Sequence, residues 1–214
     1  MNLNAISKST KRALEKLNSS PFFAETSAYL AGGTALALHL GHRYSEDLDF
    51  FTPKAFLTKS QIQLLSQIGD FKLNQTGWGT ILGEFESTKF SLFYYQYKLI
   101  GKPELILKNT NLASLADIAA MKIAAIADRG TKRDFIDLFF LTKIFSLEKI
   151  LAYYDQKYEK LQANKTHILR SLFYFTEAEN EAPPRMIQSV DWQELKKFFE
   201  KEVKKISQDL ITKP

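Results

Sequence analysis

Asp47 and Asp49 stand one residue apart in the run Asp47-Leu48-Asp49-Phe50-Phe51, which alternates polar and apolar positions before Pro53. Alternation of that kind is a strand pattern: residues i and i+2 share a face, so the two carboxylates converge while Leu48 turns into the core. Two carboxylates on one face offer hard oxygen donors suited to Mg²⁺ or Mn²⁺, ions that also bind the phosphate oxygens of a nucleoside triphosphate. Gly32-Gly33-Thr34 ends thirteen residues before Asp47. The apolar run Ala28 to Ala31 stops at those glycines and a helix over Ala35 to Leu40 follows, with Thr34 as its expected cap and Gly41 as its end. Glycines at a helix start let backbone N–H groups approach phosphate with no side chain in the way. An isolated Asp-x-Asp is more often an exposed edge strand, and an isolated Gly-Gly is more often a turn. In the order strand, Gly-Gly, helix, Asp-x-Asp strand, they point together to a nucleotide site.

The elements that must position these residues follow from periodicity. Lys8 to Leu17 has helical spacing, and Pro21 marks its end. Lys59 to Ile68 reads as an amphipathic helix, and Phe71 to Gln75, Thr80 to Glu86 and Lys89 to Tyr95 read as an antiparallel meander with Gly77, Gly79, Gly83 and Ser87-Thr88 in its turns. Beyond Leu105 to Leu107 the period becomes 3.6, and helices are expected over Ser114 to Ala127, Lys132 to Thr142, Leu147 to Tyr158, Lys165 to Phe175 and Trp192 to Leu210, with Pro183-Pro184 as a hinge before the last. The expected organisation is an α/β domain over 1–110 and a helical domain over 111–214 that completes the active site.

A chain of 214 residues with 45% hydrophobic and 25% charged residues has globular composition, which excludes a wholly disordered chain. Its 17 Phe and 9 Tyr are expected mainly in cores. The net charge of +5 suits a polyanionic partner without requiring one. With no Cys there are no disulfides, thiolate metal sites or cysteine nucleophiles. No signal-like segment and no long apolar run is present, so the expectation is a cytoplasmic protein without membrane contact.

The segment Gly32 to Phe51, Gly-Gly-Thr-Ala-Leu-Ala-Leu-His-Leu-Gly-His-Arg-Tyr-Ser-Glu-Asp-Leu-Asp-Phe-Phe, resembles the AbiEii/AbiGii nucleotidyltransferase family, toxins of type IV toxin–antitoxin and abortive-infection systems with MenT-like enzymes as relatives. A second block agrees: Ala116 to Lys122, then Ala127 to Leu138, is similar to the family's Lys-containing helix and its Arg-Asp-x-x-Asp-Leu helix. The resemblance implies a polymerase-β-like nucleotidyltransferase fold with a mixed sheet, followed by a helical C-terminal half. It implies metal ligation by Asp47 and Asp49, phosphate contact at the Gly32-Gly33-Thr34 turn, and triphosphate binding by Lys122. It also implies an acid on the second helix, Asp137 ahead of Asp134, and a nucleotide-site hydroxyl at Ser45. His42 and Arg43, in the same loop as Ser45, are further phosphate-binding candidates. The implied reaction moves NMP from an NTP to an acceptor, the 3′ end of tRNA, with Mg²⁺ or Mn²⁺ as cofactor and an antitoxin as partner. Two other readings stay open: transfer of NMP or phosphate to a protein hydroxyl, Ser45 included, and a non-catalytic module that binds nucleotide or a partner protein.

The same residues have plainer readings. Lys122 among Ala119, Ala120, Ala124 and Ala125 could be a lysine snorkelling from a small-residue helix. Asp134 and Asp137 could form surface ion pairs with Arg129, Lys132 and Arg133, a basic cluster that also suits RNA phosphate. His39 and His42 suit packing better than a metal site. Lys196, Lys197, Lys201, Lys204 and Lys205 accompany Leu195, Phe199, Val203, Ile206 and Leu210, so they read as the solvated face of a packing helix. The sequence departs from the family pattern at the later strand, where a third carboxylate is often found and Phe90-Ser91-Leu92-Phe93 offers Ser91.

Overall fold

A computed structural model of the chain describes residues 1–159 and 165–212, with side chains through 209. Two compact units are present, Met1–Ser114 and a second beginning at Leu115.

The first unit is built on one mixed seven-stranded sheet. Its strands are β1 (Tyr29–Leu30), β2 (Leu48–Thr52), β3 (Phe71–Gly77), β4 (Thr80–Phe85), β5 (Thr88–Tyr94), β6 (Glu104–Leu105) and β7 (Asn111–Leu112), in spatial order β3-β4-β5-β2-β1-β7-β6. The β3-β4-β5 portion is the expected antiparallel meander, β2 runs parallel to β5 and antiparallel to β1, and β1 runs parallel to β7. The pairing of β6 with β7 was not legible, because strands of two residues carry no periodicity.

One face of the sheet is sealed. Leu48, Phe50, Phe90, Leu92, Ile81 and Phe85 are fully buried, and Phe22, Phe50 and Phe90 pack edge to face or tilted at 5.4–6.0 Å. Phe22 belongs to a short helix, α2 (Phe22–Thr26), that begins directly after Pro21. That proline therefore opens a helix as well as following α1 (Lys8–Asn18), consistent with its preset φ. The opposite face carries the alternate residues Asp49, Phe51, Phe93 and Leu82, all partly open to solvent.

Two further helices complete this unit, α3 (Gly32–Leu40) and α4 (Thr58–Ile68). Thr34 is not the cap of α3: the helix starts at Gly32 with Ala31 in the cap position, and Thr34 lies buried in the first turn.

The second unit is helical: α5 (Leu115–Asp128), α6 (Lys132–Thr142), α7 (Leu147–Lys157), α8 (Lys165–Ser171), α9 (Thr176–Glu179) and α10 (Trp192–Thr212). Gly130, at φ +54, lies between α5 and α6, and Thr131 caps α6 by accepting from the Asp134 backbone N–H. The helix expected over Lys165 to Phe175 ends at Ser171, and α9, which was not expected, follows after residues 172–175. In α10, Leu195, Phe199, Val203 and Ile206 are buried, so the packing reading of that helix holds; the side chain of Leu210 lies outside the described residues. Phe199 and Phe175 both pack on Phe135, the centre of this unit's aromatic core.

Among the described residues no helix is long and apolar enough to cross a membrane.

Candidate active site

Asp49 sits in β2 and Asp47 directly precedes the strand. Burial alternates along β2, with Leu48, Phe50 and Thr52 inside and Asp49 and Phe51 on the open face, so the i, i+2 spacing delivers both carboxylates to one side. Asp47 is 36% exposed and its Oδ2 lies 3.8 Å from the Lys89 ammonium. An exposed pair of this kind contributes little to stability. Its value is diagnostic, since the carboxylate presents itself to a cation.

The Gly-Gly turn meets Asp49 at close range. Gly32 has φ +70, and a Cβ there would stand 3.2 Å from Asp49 Oδ2; a Cβ on Gly33 would stand 2.2 Å from Arg43 Nη2. Glycine is favoured at Gly32 by the left-handed backbone, where a Cβ would also crowd the Asp49 carboxylate, while a Cβ at Gly33 would displace the end of the Arg43 side chain. The first turn of α3 consequently opens beside a carboxylate and a guanidinium that is only 4% exposed. For Gly32→Ala we expect a loss of about 1–2 kcal/mol from the left-handed backbone alone, with a displaced Asp49 carboxylate and a larger fractional loss of activity than of stability, read by urea unfolding beside initial rates.

The loop between α3 and β2 is pinned from both ends. Thr34 Oγ1 is 2.8 Å from Ser45 Oγ and also bonds the Asp47 carbonyl. Ser45 N–H donates to Ala5 O at 2.9 Å, Ile6 bridges Ser45, and Thr10 Oγ1 donates to Glu46 O at 3.0 Å. The N-terminal segment is thus part of the site's support, a role invisible to local pattern because the partners are 36 residues apart in the chain. Thr10→Val, which removes that donor at a fully buried position, is expected to cost about 1–3 kcal/mol, measured as a shift of the urea midpoint at constant slope.

In the second unit Lys122 from α5 reaches Asp134 Oδ1 at 2.9 Å and Asp137 Oδ2 at 2.7 Å on α6. The i, i+3 spacing of the two acids puts them on one face, as expected, but they are not surface residues: Asp134 is 1% exposed and Asp137 fully buried. Arg129 Nε (2.9 Å) and Thr131 Oγ1 (2.6 Å) also donate to Asp134. Burial alone would raise the Asp134 pKa, but the Lys122 charge and the Arg129 and Thr131 hydrogen bonds hold it well below the ordinary aspartate value. Burial likewise pulls Lys122 down, and the charges of Asp137 and Asp134 more than reverse it, so the ammonium titrates above the ordinary lysine value. The snorkelling reading of Lys122 is excluded by this pairing.

Lys132 leaves the basic cluster: it is 8% exposed, donates to backbone carbonyls of Glu179 and Glu181 and lies 5.1 Å from the Trp192 ring centroid. Lys196 and Lys205 form ion pairs with Glu179 and Glu148. His39 bonds the Ala113 carbonyl, and His42 is fully buried. A second buried pair, Lys157 with Asp117 at 2.7 Å, joins α7 to α5; its members are 40 residues apart and no sequence signal links them.

The parallel register sets Ser91 directly beside Asp49, with Lys89 one alternate position before it. Ser91 is buried at 3% exposure, so the strand neighbour of Asp49 supplies a hydroxyl where a third acid is common. Among the described residues there is no cluster of three or more His, Asp or Glu that could cage an ion.

The AbiEii family model, described as nucleotidyl transferase AbiEii toxin of the type IV toxin–antitoxin system, matches residues 12–211. A relative from Aquifex aeolicus (strain VF5), the uncharacterized protein aq_aa25, is 35% identical over 215 residues, covering 94% of this chain and 98% of that protein. MenT4, a nucleotidyltransferase toxin from Mycobacterium tuberculosis H37Rv, is similar in structure with a TM-score of 0.52 at 13% identity, covering 92% of this chain and 84% of that one. The antibiotic-resistance factor ANT(2'')-Ia is similar at a TM-score of 0.53 and 12% identity, covering 74% of this chain and 97% of its own. At these identities the structural likeness establishes the nucleotidyltransferase fold. The family model, which spans nearly the whole chain, establishes the rest: the chain belongs to the AbiEii nucleotidyltransferase toxin family of type IV toxin–antitoxin systems.

Proposed function

We propose that this nucleotidyltransferase moves NMP from a nucleoside triphosphate to RNA, with the 3′ end of tRNA as acceptor, and that an antitoxin protein holds the activity in check. The observation that carries the reading is the pair Asp47 and Asp49 on the open face of β2, with Asp49 against the Gly32-Gly33 turn.

Two carboxylates at neighbouring alternate positions fit Mg²⁺ or Mn²⁺, which keep water and substrate oxygens in their remaining positions. Bound by Asp47 and Asp49, the metal would supply charge neutralisation on the phosphate oxygens.

The chain's own groups do the remaining work. The N–H groups of the first turn of α3 offer an anion site for the triphosphate tail. Arg43, held over Gly33, places a guanidinium where phosphate charge collects. Thr34 and Ser45 fix the loop that aims Asp47, and Lys122 is assigned to the triphosphate on the strength of its motif, with Asp134 and Asp137 orienting its ammonium. The acceptor hydroxyl attacks the α-phosphorus, a new phosphodiester forms and pyrophosphate leaves.

The test is incubation with each α-labelled NTP, Mg²⁺ or Mn²⁺ and total RNA, with RNA and protein resolved separately. Label in tRNA supports the reading. Label on the protein, lost on Ser45→Ala, replaces it with self-modification, a possibility the Ser45 hydroxyl keeps specific. Label on neither sinks transfer to these acceptors.

A further inference from the structure

The helical unit carries a recess that the transfer chemistry does not use. It measures about 590 Å³, which is within the range of small-ligand sites, and runs between the end of α5 and the end of α8. It is lined by Phe173 and Tyr174, which are 44% and 58% exposed, whereas Phe175, Trp192 and Phe199 of the same unit pack on Phe135. They project there because α8 ends at Ser171 and the Phe173 and Tyr174 backbone N–H groups turn back onto the Arg170 and Ser171 carbonyls. Below them lie Arg170 and Arg129. Arg129 is anchored by its Nε bond to Asp134, yet 61% of its side chain remains open. Arg170 is exposed and forms no ion pair among the described residues.

Asp128 and Glu177 line the same recess, so its formal charges cancel: two arginines against two acids, with His167 beside them. A polyanion track would be one-signed. A mixture of fixed donors and acceptors under exposed aromatic rings is instead the surface that takes an unpaired nucleobase, whose edge carries both donors and acceptors and whose faces stack.

Resting on the reading that the acceptor is RNA, we propose that this recess binds an unpaired nucleotide of the acceptor strand, the base stacked on Phe173 or Tyr174 and the adjoining phosphate met by Arg170. The site selects single-stranded over duplex RNA, because a paired base cannot present both its edge and its face.

The test uses the full-length protein without NTP, so no chemistry intervenes. Fluorescence anisotropy is measured with an eight-nucleotide single-stranded oligoribonucleotide and with a blunt RNA duplex of equal length. Wild type is expected to bind the single strand at least about tenfold more tightly, and Phe173→Ala/Tyr174→Ala to lose about tenfold or more of that affinity. Arg170→Glu is expected to weaken the same complex, which guards against a fold defect from losing two rings. In the transfer assay the double variant raises KM for RNA and leaves KM for NTP unchanged. Equal affinity for strand and duplex, or an unchanged Kd in both variants, overturns the proposal and hands the recess to a protein partner. If the variants lose the oligonucleotide while wild type labels no RNA, the transfer reading fails and the nucleotide recess stands.

Discussion

Asp49→Asn is expected to lose roughly three orders of magnitude of nucleotidyl transfer while keeping the stability of the wild type to within about 1 kcal/mol. The asymmetry follows from position. Asp49 lies on the open face of β2, not in the sealed core, and asparagine preserves its size and its contact with Gly32. Only the charge and the second acceptor oxygen are removed. In a reaction whose catalysis is almost entirely positioning and neutralisation of phosphate charge, that charge acts in the transition state, so the loss falls on kcat. Asp47→Asn should behave alike, with one difference: Asp47 also faces Lys89. A full-strength Asp49→Asn enzyme would mean that the carboxylate pair is not the reaction centre, whatever its geometry suggests.

The carboxylate pair and the glycine turn were legible because the chemistry of each is local. Strand alternation fixes the facing of Asp47 and Asp49, and two consecutive glycines announce a turn where the backbone comes close to its neighbours. What lies beside them was not local. Ser45 is positioned by Ala5 and Ile6, and Glu46 by Thr10, through contacts that no window of neighbouring residues contains. The register that sets Ser91 against Asp49 is also tertiary, although the sequence had singled out Ser91 as the departure from the family pattern.

In the helical half the positions of the helices were readable and their burial was not. Lys132 has the residue type of a solvated cation, yet it is enclosed by Trp192 and two backbone carbonyls. Asp117 and Lys157 are both fully buried, an arrangement that costs desolvation and is tolerated only because each charge meets the other. Composition and period identify which faces are apolar; they do not identify which charges are carried inside. The break after α8 was missed for a related reason: the run into Phe173, Tyr174 and Phe175 keeps helical hydrophobicity, but two of those rings are solvent-facing.

Lys122→Met should destabilise the protein by about 3–5 kcal/mol at pH 7, because it strips the ammonium from two buried carboxylates while leaving them in place. The sign of the pH dependence then distinguishes a charge effect from a packing defect. In the wild type the folded pKa of Asp134 is depressed, so its stabilisation is fully present above roughly pH 4, the ordinary aspartate range, and is lost as pH falls through the folded value. Lys122 is raised, so its share is present below about pH 10 and is lost as pH rises through its folded value. Without the ammonium, fully buried Asp137 is driven to take up a proton, and the deficit of the variant relative to wild type should therefore shrink between pH 7 and pH 5. A deficit of equal size at both pH values would show that the acids keep their charge through other partners and that Lys122 matters for volume alone. The double variant Lys122→Met/Asp137→Leu removes a charge of each sign and should recover part of the lost stability. Transfer activity in that background decides what the lysine is for. Stability regained with transfer still absent assigns the Lys122–Asp137 pair to the reaction as well as to the fold, whereas the two returning together would leave Lys122 as the support of α5 on α6 and nothing more.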